Sequence, residues 1–111
     1  MKLPNGDRAI VDDAKLVNYC LSTTHPRGRH KARLFEAAFG FTSHNAMVLR
    51  SLLLEAARSE DTAVATKQSF FGQLYELRFR CRGPIATGDL LSVWIVLNSE
   101  KFPRLVTCYP V

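Results

Sequence analysis

Three groups of residues have types and spacings that could do chemistry. The first is His25-Pro26-Arg27-Gly28-Arg29-His30-Lys31-Ala32-Arg33, which holds four cations and no acid. Placed at a helix start, Arg27, Gly28 and Arg29 would combine side-chain cations with free backbone N–H groups and the positive end of the dipole. That combination makes an anion site. His30 could move a proton near neutral pH, and Lys31 could stabilise negative charge as it develops. Cations opening a helix oppose its dipole, and an unfavourable feature without compensation tilts the reading toward function. The plainer alternative is a solvated helix end, with His30 a hydrogen-bonded residue at the edge of the core.

The second group is Arg78, Arg80 and Arg82. Period-two geometry puts all three guanidinium groups on one sheet face, with alternate residues roughly 6.5–7 Å apart. That is near the phosphate spacing of an extended nucleic-acid strand, whose contacts would be salt-sensitive. A solvent face that uses arginine for solubility is the alternative. The third group is Thr107 and Tyr109, two hydroxyls on one face of a C-terminal strand, although both residue types are also ordinary strand formers.

Other residues offer less. His25 and His44 share no spacing with Cys, Asp or Glu that would suit a metal. Trp94 lies in an apolar run and reads as core. Cys20, Cys81 and Cys108 form an odd set without CxxC spacing, so neither a disulfide framework nor a thiolate zinc site is indicated. Buried, reduced and inert thiols are the expectation. There is neither a glycine-rich nucleotide loop nor a GxSxG element.

These groups need elements to position them. Asp12 or Asp13 caps a short helix over about 14–21, preceded by a short strand at Ala9-Ile10-Val11. A second helix begins near Arg27–Arg29 and runs to Phe39, with Gly40 as its stop. Four-residue steps along it put His30, Leu34 and Ala38 in one row and Lys31, Phe35 and Phe39 in the next, so both His30 and Lys31 extend a core-facing stripe. Thr42 or Ser43 caps a third helix over about 44–58. From about residue 70 the period becomes two: one strand leads to Arg82, a central one spans Leu90–Leu97, and a last one, Leu105–Tyr109, is stopped by Pro110. Helices first and an antiparallel sheet of three to four strands afterwards make an α+β domain with its helices packed on one sheet face.

The length of 111 residues fits one domain over 1–111. At 47% hydrophobic and 23% charged, the chain reads as a soluble globular protein. No apolar run approaches the about 20 residues of a membrane helix, and the N-terminus lacks the apolar region of a secretory signal, so a cytoplasmic protein is expected. The formal charge of +5 is unevenly spread. Outside the stretches 25–33 and 78–82 the chain carries 8 basic and 10 acidic residues. Positive charge confined to two places suggests an anionic partner, RNA or another polyanion.

The run from His25 to Phe35, together with Phe71-Gly72-Gln73-Leu74-Tyr75, Trp94-Ile95-Val96 and Pro103-Arg104-Leu105-Val106-Thr107-Cys108-Tyr109, resembles a bacterial domain family of about this length with no assigned activity. More remotely, a helical Lys/His pair followed by a sheet ending in Thr-x-Tyr-Pro looks like the barnase–EndoU–colicin–RelE superfamily of metal-independent RNases, many of them bacterial toxins. In that pattern a helix His or Lys and hydroxyls of the last strands face the scissile phosphate, and the matching positions are His30, Lys31, Thr107 and Tyr109. This chain lacks a clear second catalytic histidine from a separate element, a place His25 could fill.

The expectation is therefore a small toxin-like endoribonuclease that cleaves RNA by 2′-OH attack. His30, Lys31, Thr107 and Tyr109 would be catalytic, and Arg27, Arg29, Arg78, Arg80 and Arg82 would bind phosphate. The chemistry calls for no cofactor or metal. The resemblance implies an antitoxin or immunity protein as a further partner, and a dimer is one allowed assembly. The rivals are a non-catalytic module that grips nucleic acid or an acidic protein through the same cations, and a structural or oligomeric protein that uses Leu90–Leu97 as an interface.

Overall fold

A computed structural model describes all of residues 1–111. A 3-10 turn, Gly6–Arg8, leads to α1, Asp13–Lys15, which widens at once into a π-helical turn, Leu16–Cys20. Helix α2 spans Arg29–Phe39 and helix α3 spans Ala46–Ser59, the latter entered through a 3-10 turn, Ser43–Asn45. Four strands follow: β1 Val64–Gln68, β2 Gly72–Arg82, β3 Thr87–Leu97 and β4 Arg104–Pro110. They form one antiparallel sheet in the order β1-β2-β3-β4. The protein is α+β, with its helices N-terminal to the sheet.

Local chemistry sets the helix ends. Asp12 Oδ1 accepts from Ala14 N at 3.0 Å and caps α1. Thr42 and Asn45 form a reciprocal capping box ahead of α3. Gly40 ends α2 at φ 83°, a left-handed conformation that favours glycine. The expected helix over 14–21 is instead a single α-turn continued as a π-turn, closed by Leu21 N on Leu16 O at 2.8 Å. The expected strand at 9–11 is one parallel bridge between Ile10 and Arg104.

Helix α2 departs from the expected stripe in an instructive way. Ala32, Phe35 and Phe39 are buried, whereas His30, Leu34 and Ala38 are exposed. The two rows lie about 100° apart, and the core takes the aromatic one, which removes far more apolar area from water. Lys31, on the Phe35 row, is half-buried, while His30 faces solvent.

The core lies between the helices and one sheet face. Phe35, Phe39 and Phe41 stack within 5.8–6.5 Å of one another, against Leu49 and Leu53 of α3 and Leu77, Leu90 and Trp94 of the sheet. Helix α3 buries a single stripe and leaves Met47 and Val48 half-exposed, so it is less buried than its apolar content suggested. Ser92 is the one buried polar side chain. Its hydroxyl donates to Leu77 O at 2.8 Å and accepts from Trp94 Nε1 at 2.9 Å, which satisfies the indole inside the core.

Strand β1 did not emerge from the sequence. It is five residues long and exposed throughout, so no alternation of burial marks it. Pro110 does not stop β4 but pairs opposite Leu90, which an edge strand tolerates because its outer groups need no partner.

Candidate functional site

The sheet has one covered face and one open one. Register pairs share a face, so Leu74 with Ile95, Glu76 with Val93, Arg78 with Leu91 and Arg80 with Asp89 all lie opposite the buried Leu77, Phe79 and Cys81. On β4 the register shifts between Val93 and Trp94, with Val93 opposite Thr107 and Trp94 opposite Leu105. Val106 is the extra residue of this bulge. Strict alternation would put Leu105, Thr107 and Tyr109 on one face. The bulge instead leaves Leu105 and Cys108 in the core and turns Thr107 and Tyr109 to the open face.

There Thr107 and Tyr109 meet Lys31, reaching in from α2. Lys31 Nζ donates to Thr107 Oγ1 at 3.4 Å. It sits 4.9 Å from the centroid of the Tyr109 ring and 5.7 Å from that of Tyr19. Two aromatic faces hold the ammonium by cation–π attraction while leaving it half-exposed. No carboxylate pairs with it. Three of the four residues expected to be catalytic thus converge across 76 residues of chain. His30, the fourth, is the neighbouring residue on α2, with its side chain in solvent and no hydrogen-bond partner in the protein.

At the start of α2, where an anion site was expected, His25 engages part of the donor set. His25 Nδ1 accepts from both Arg27 N and Gly28 N at 3.0 Å, and His25 O accepts from Arg29 N at 3.0 Å. The donors of Arg27, Gly28 and Arg29 are therefore closed by the chain itself, while His30 N and Lys31 N of the first turn have no backbone partner. His25 acts as a cap, its ring edge-on to Tyr19 at 4.8 Å. Gly28 makes the closure fit, because a Cβ there would lie 2.1 Å from Tyr19 O. Arg27, Arg29 and Arg33 remain exposed and unpaired around this turn.

The arginine ladder is real but partly neutralised. Asp89 of β3 pairs with Arg78 at 3.0 Å and Arg80 at 3.4 Å, leaving Arg82 free. The two guanidiniums hold the Asp89 carboxyl below the usual carboxylate range. A sequence window over 78–82 contains no acid, but the β2–β3 hairpin brings one directly opposite. The ladder does not touch Lys31. Arg78 and Tyr109 do share one row, on either side of Leu91, which puts them two strand spacings, about 10 Å, apart on the same face. Half-buried Leu91 and Val93 of β3 lie between the two groups.

Cys20 is the residue of this neighbourhood that sequence reasoning set aside. All three cysteines are free and buried, as expected. Burial pushes the Cys81 thiol up to about 11. Cys20 goes the other way, held below the ordinary thiol range chiefly by hydrogen bonding from Cys108 and then by Thr107 and the Lys31 charge, against the penalty of burial. Only its place in an apolar run was visible in the sequence, and that favoured the inert reading.

Two shallow clefts lie elsewhere. One, of about 350 Å³, is lined in part by Asp7, Ser51, Glu55 and Arg58. The other, of about 370 Å³, is lined in part by Ser22, Thr24, Glu36 and His44. Neither includes Lys31, Thr107 or Tyr109. No three His, Cys, Asp or Glu side chains are grouped so as to hold a metal ion, and no helix is long and apolar enough to cross a membrane.

Residues 2–111 match the family described as "Domain of unknown function (DUF6883)". A search of curated proteins finds no match. Among solved structures, a chain of a contact-dependent growth inhibition toxin–immunity protein complex from Klebsiella pneumoniae 342 superposes with a TM-score of 0.72 at 17% identity, over 92% of this chain and 99% of that one. At that identity the likeness is one of fold.

Proposed function

The chain belongs to the DUF6883 family, and from that premise we propose that it is a small, toxin-like endoribonuclease working on the open face of its sheet. The observation that carries this reading is the convergence of Lys31, Thr107 and Tyr109 on a face that also bears Arg78, Arg80 and Arg82. The 2′-OH of a ribose attacks the adjacent phosphorus, the P–O5′ bond breaks, and a cyclic phosphate and a 5′-hydroxyl remain. Lys31 stabilises the charge on the phosphoryl oxygens as the fifth ligand arrives. Thr107 and Tyr109 orient the phosphate, and Tyr109 can supply a proton. His30 reaches over from the solvent side of α2 to exchange the proton of the 2′-OH or of the leaving oxygen. Arg27 and Arg29 at the α2 start, with the ladder arginines, hold flanking phosphates. The groups that move protons and hold charge are all side chains of this chain. Likeness of fold to a chain from a toxin–immunity complex supports a proteinaceous inhibitor as a further partner.

The test is incubation of the purified protein with RNA in EDTA. Cleavage that ends in cyclic phosphate, lost in Lys31→Met and cut in His30→Ala, is the expected result. A folded wild type that yields no product, or variants that cleave as well as it does, would sink the reading. A second reading, a polyanion-binding protein without catalysis, is favoured by one observation: His25 Nδ1 accepts from Arg27 N and Gly28 N, which engages that edge of the ring in the fold. RNA affinity that falls steeply with salt and yields no product identifies that case.

A further inference from the structure

Cys20 lies beneath the open-face cluster, fully buried at the end of the π-helical turn, and the chemistry proposed above makes no use of it. Its sulfur is 4.0 Å from Thr107 Oγ1, the same hydroxyl that receives Lys31 Nζ at 3.4 Å. A hydroxyl has one hydrogen and two lone pairs, whereas an ammonium has hydrogens only. Lys31 therefore takes a lone pair of Thr107, which leaves the one hydroxyl hydrogen available to the sulfur. With that hydrogen on the sulfur, the chain runs from ammonium to hydroxyl to sulfur. Cys108, on the core side of β4, is the largest influence lowering the Cys20 thiol.

We infer that Cys20 is a positioning residue for Lys31: its sulfur takes the hydroxyl hydrogen of Thr107, which holds the hydroxyl lone pair toward Lys31 Nζ and fixes the ammonium on the open face. The catalytic consequence rests on the ribonuclease reading; the wiring does not. The electrostatics agree with the geometry. Cys20 is held below the ordinary thiol range chiefly by Cys108, with Thr107 and Lys31 adding to it, while Cys108, beside Cys20 and deeply buried, is driven well above it. The surroundings provide no competing acid. Beta-strand neighbours contribute Cys108, Thr107 and, from β2, Cys81. Helix α2 contributes Lys31, with the Tyr19 and Tyr109 rings around it, His25 edge-on to Tyr19 and Lys15 over that same ring. Arg50 of α3 is turned to Asp13 at 3.1 Å and to Val11 O. The π-turn serves this arrangement by presenting two consecutive residues, Tyr19 to the ammonium and Cys20 to the hydroxyl beneath it.

The wiring is read by titrating protein carrying 13Cβ-labelled cysteine and following three resonances against pH. Cys20 is expected to ionise below the ordinary thiol range, with Cys81 and Cys108 above it. Thr107→Val removes the hydroxyl at nearly constant shape and should move Cys20 upward by about one pH unit, the scale of one charge-assisted hydrogen bond. Lys31→Met should also raise it, while Cys81 stays in place in both. For RNA cleavage, Cys20→Ala should lower kcat about tenfold with little change in KM, and Cys20→Ser, which still offers an acceptor, should recover part of that loss. Amide spectra and melting temperatures near wild type confirm that the variants fold. A Cys20 resonance that ignores Thr107→Val overturns the wiring. Wild-type kcat in Cys20→Ala, from a protein that does cleave, overturns the positioning role. Absence of cleavage by wild type removes the ribonuclease reading alone, because the titration still decides whether Cys20 holds Thr107.

Discussion

Lys31 and His30 are adjacent in sequence, yet α2 gives them different environments. Lys31 continues the buried Phe35 row and meets two aromatic rings and a hydroxyl, whereas His30 points into solvent. A charge held on one spot stabilises a transition state more than a mobile one, because no reorganisation is needed during the reaction. Lys31→Met should therefore cost RNA cleavage on the order of 10²–10³ in kcat, with Lys31→Arg recovering little, since a planar fork does not fit between two rings as a point charge does. His30→Ala should lower kcat for RNA cleavage by about 10²–10⁴, the range for removal of a general acid or base. In the core, Ser92 supports β3 by serving Leu77 O and the Trp94 indole together. Ser92→Ala leaves both buried groups unpaired and should destabilise the protein by about 1–3 kcal/mol, measured by urea unfolding.

Two junctions decide the geometry of the site at the level of elements. At the first, α2 begins against the carbonyl of Tyr19, and Gly28 permits that approach. Gly28→Ala should force the π-turn and α2 apart, lower stability by about 1–3 kcal/mol and weaken the seating of Lys31 between Tyr19 and Tyr109. Thermal melting and an accompanying drop in cleavage check this. At the second, the β2–β3 hairpin sets Asp89 against Arg78 and Arg80. Exposed pairs of this kind add little to stability, but they restrain the charge that the ladder offers to a polyanion. Asp89→Asn should leave the melting temperature nearly unchanged while tightening RNA binding. Its plot of log affinity against log salt should be steeper by about one phosphate contact.

Viewed as a whole molecule, the three buried thiols give stability a pH dependence of mixed sign. Cys81 and Cys108 are raised, so the stability they contribute is complete below the ordinary thiol value of about 8.5 and is lost as pH rises toward about 11 for Cys81. Cys20 is lowered, so its contribution is present above the ordinary value and fades as pH falls through its own. Cys81→Val should accordingly lose less melting temperature than wild type on the alkaline side. The α+β class, the second and third helices, three of the four strands and the pairing of Thr107 with Tyr109 on one face were all legible in the chain, because caps, Gly40 and hydrophobic periodicity are local signals. Lys31 was legible too, because a row of a helix is fixed by spacing alone. Three decisions belonged to the tertiary structure, each depending on a partner distant in sequence. The competition between two rows of α2 went to the one that could bury phenylalanines, and His30 was left outside. The hairpin supplied Asp89 to a ladder whose own segment has no acid. The bulge at Val106 moved Thr107 and Tyr109 to the open face and Cys108 to the core. A strand specifies alternation but not where it skips, since a one-residue slip exchanges the faces and only packing against neighbouring strands and helices selects the register.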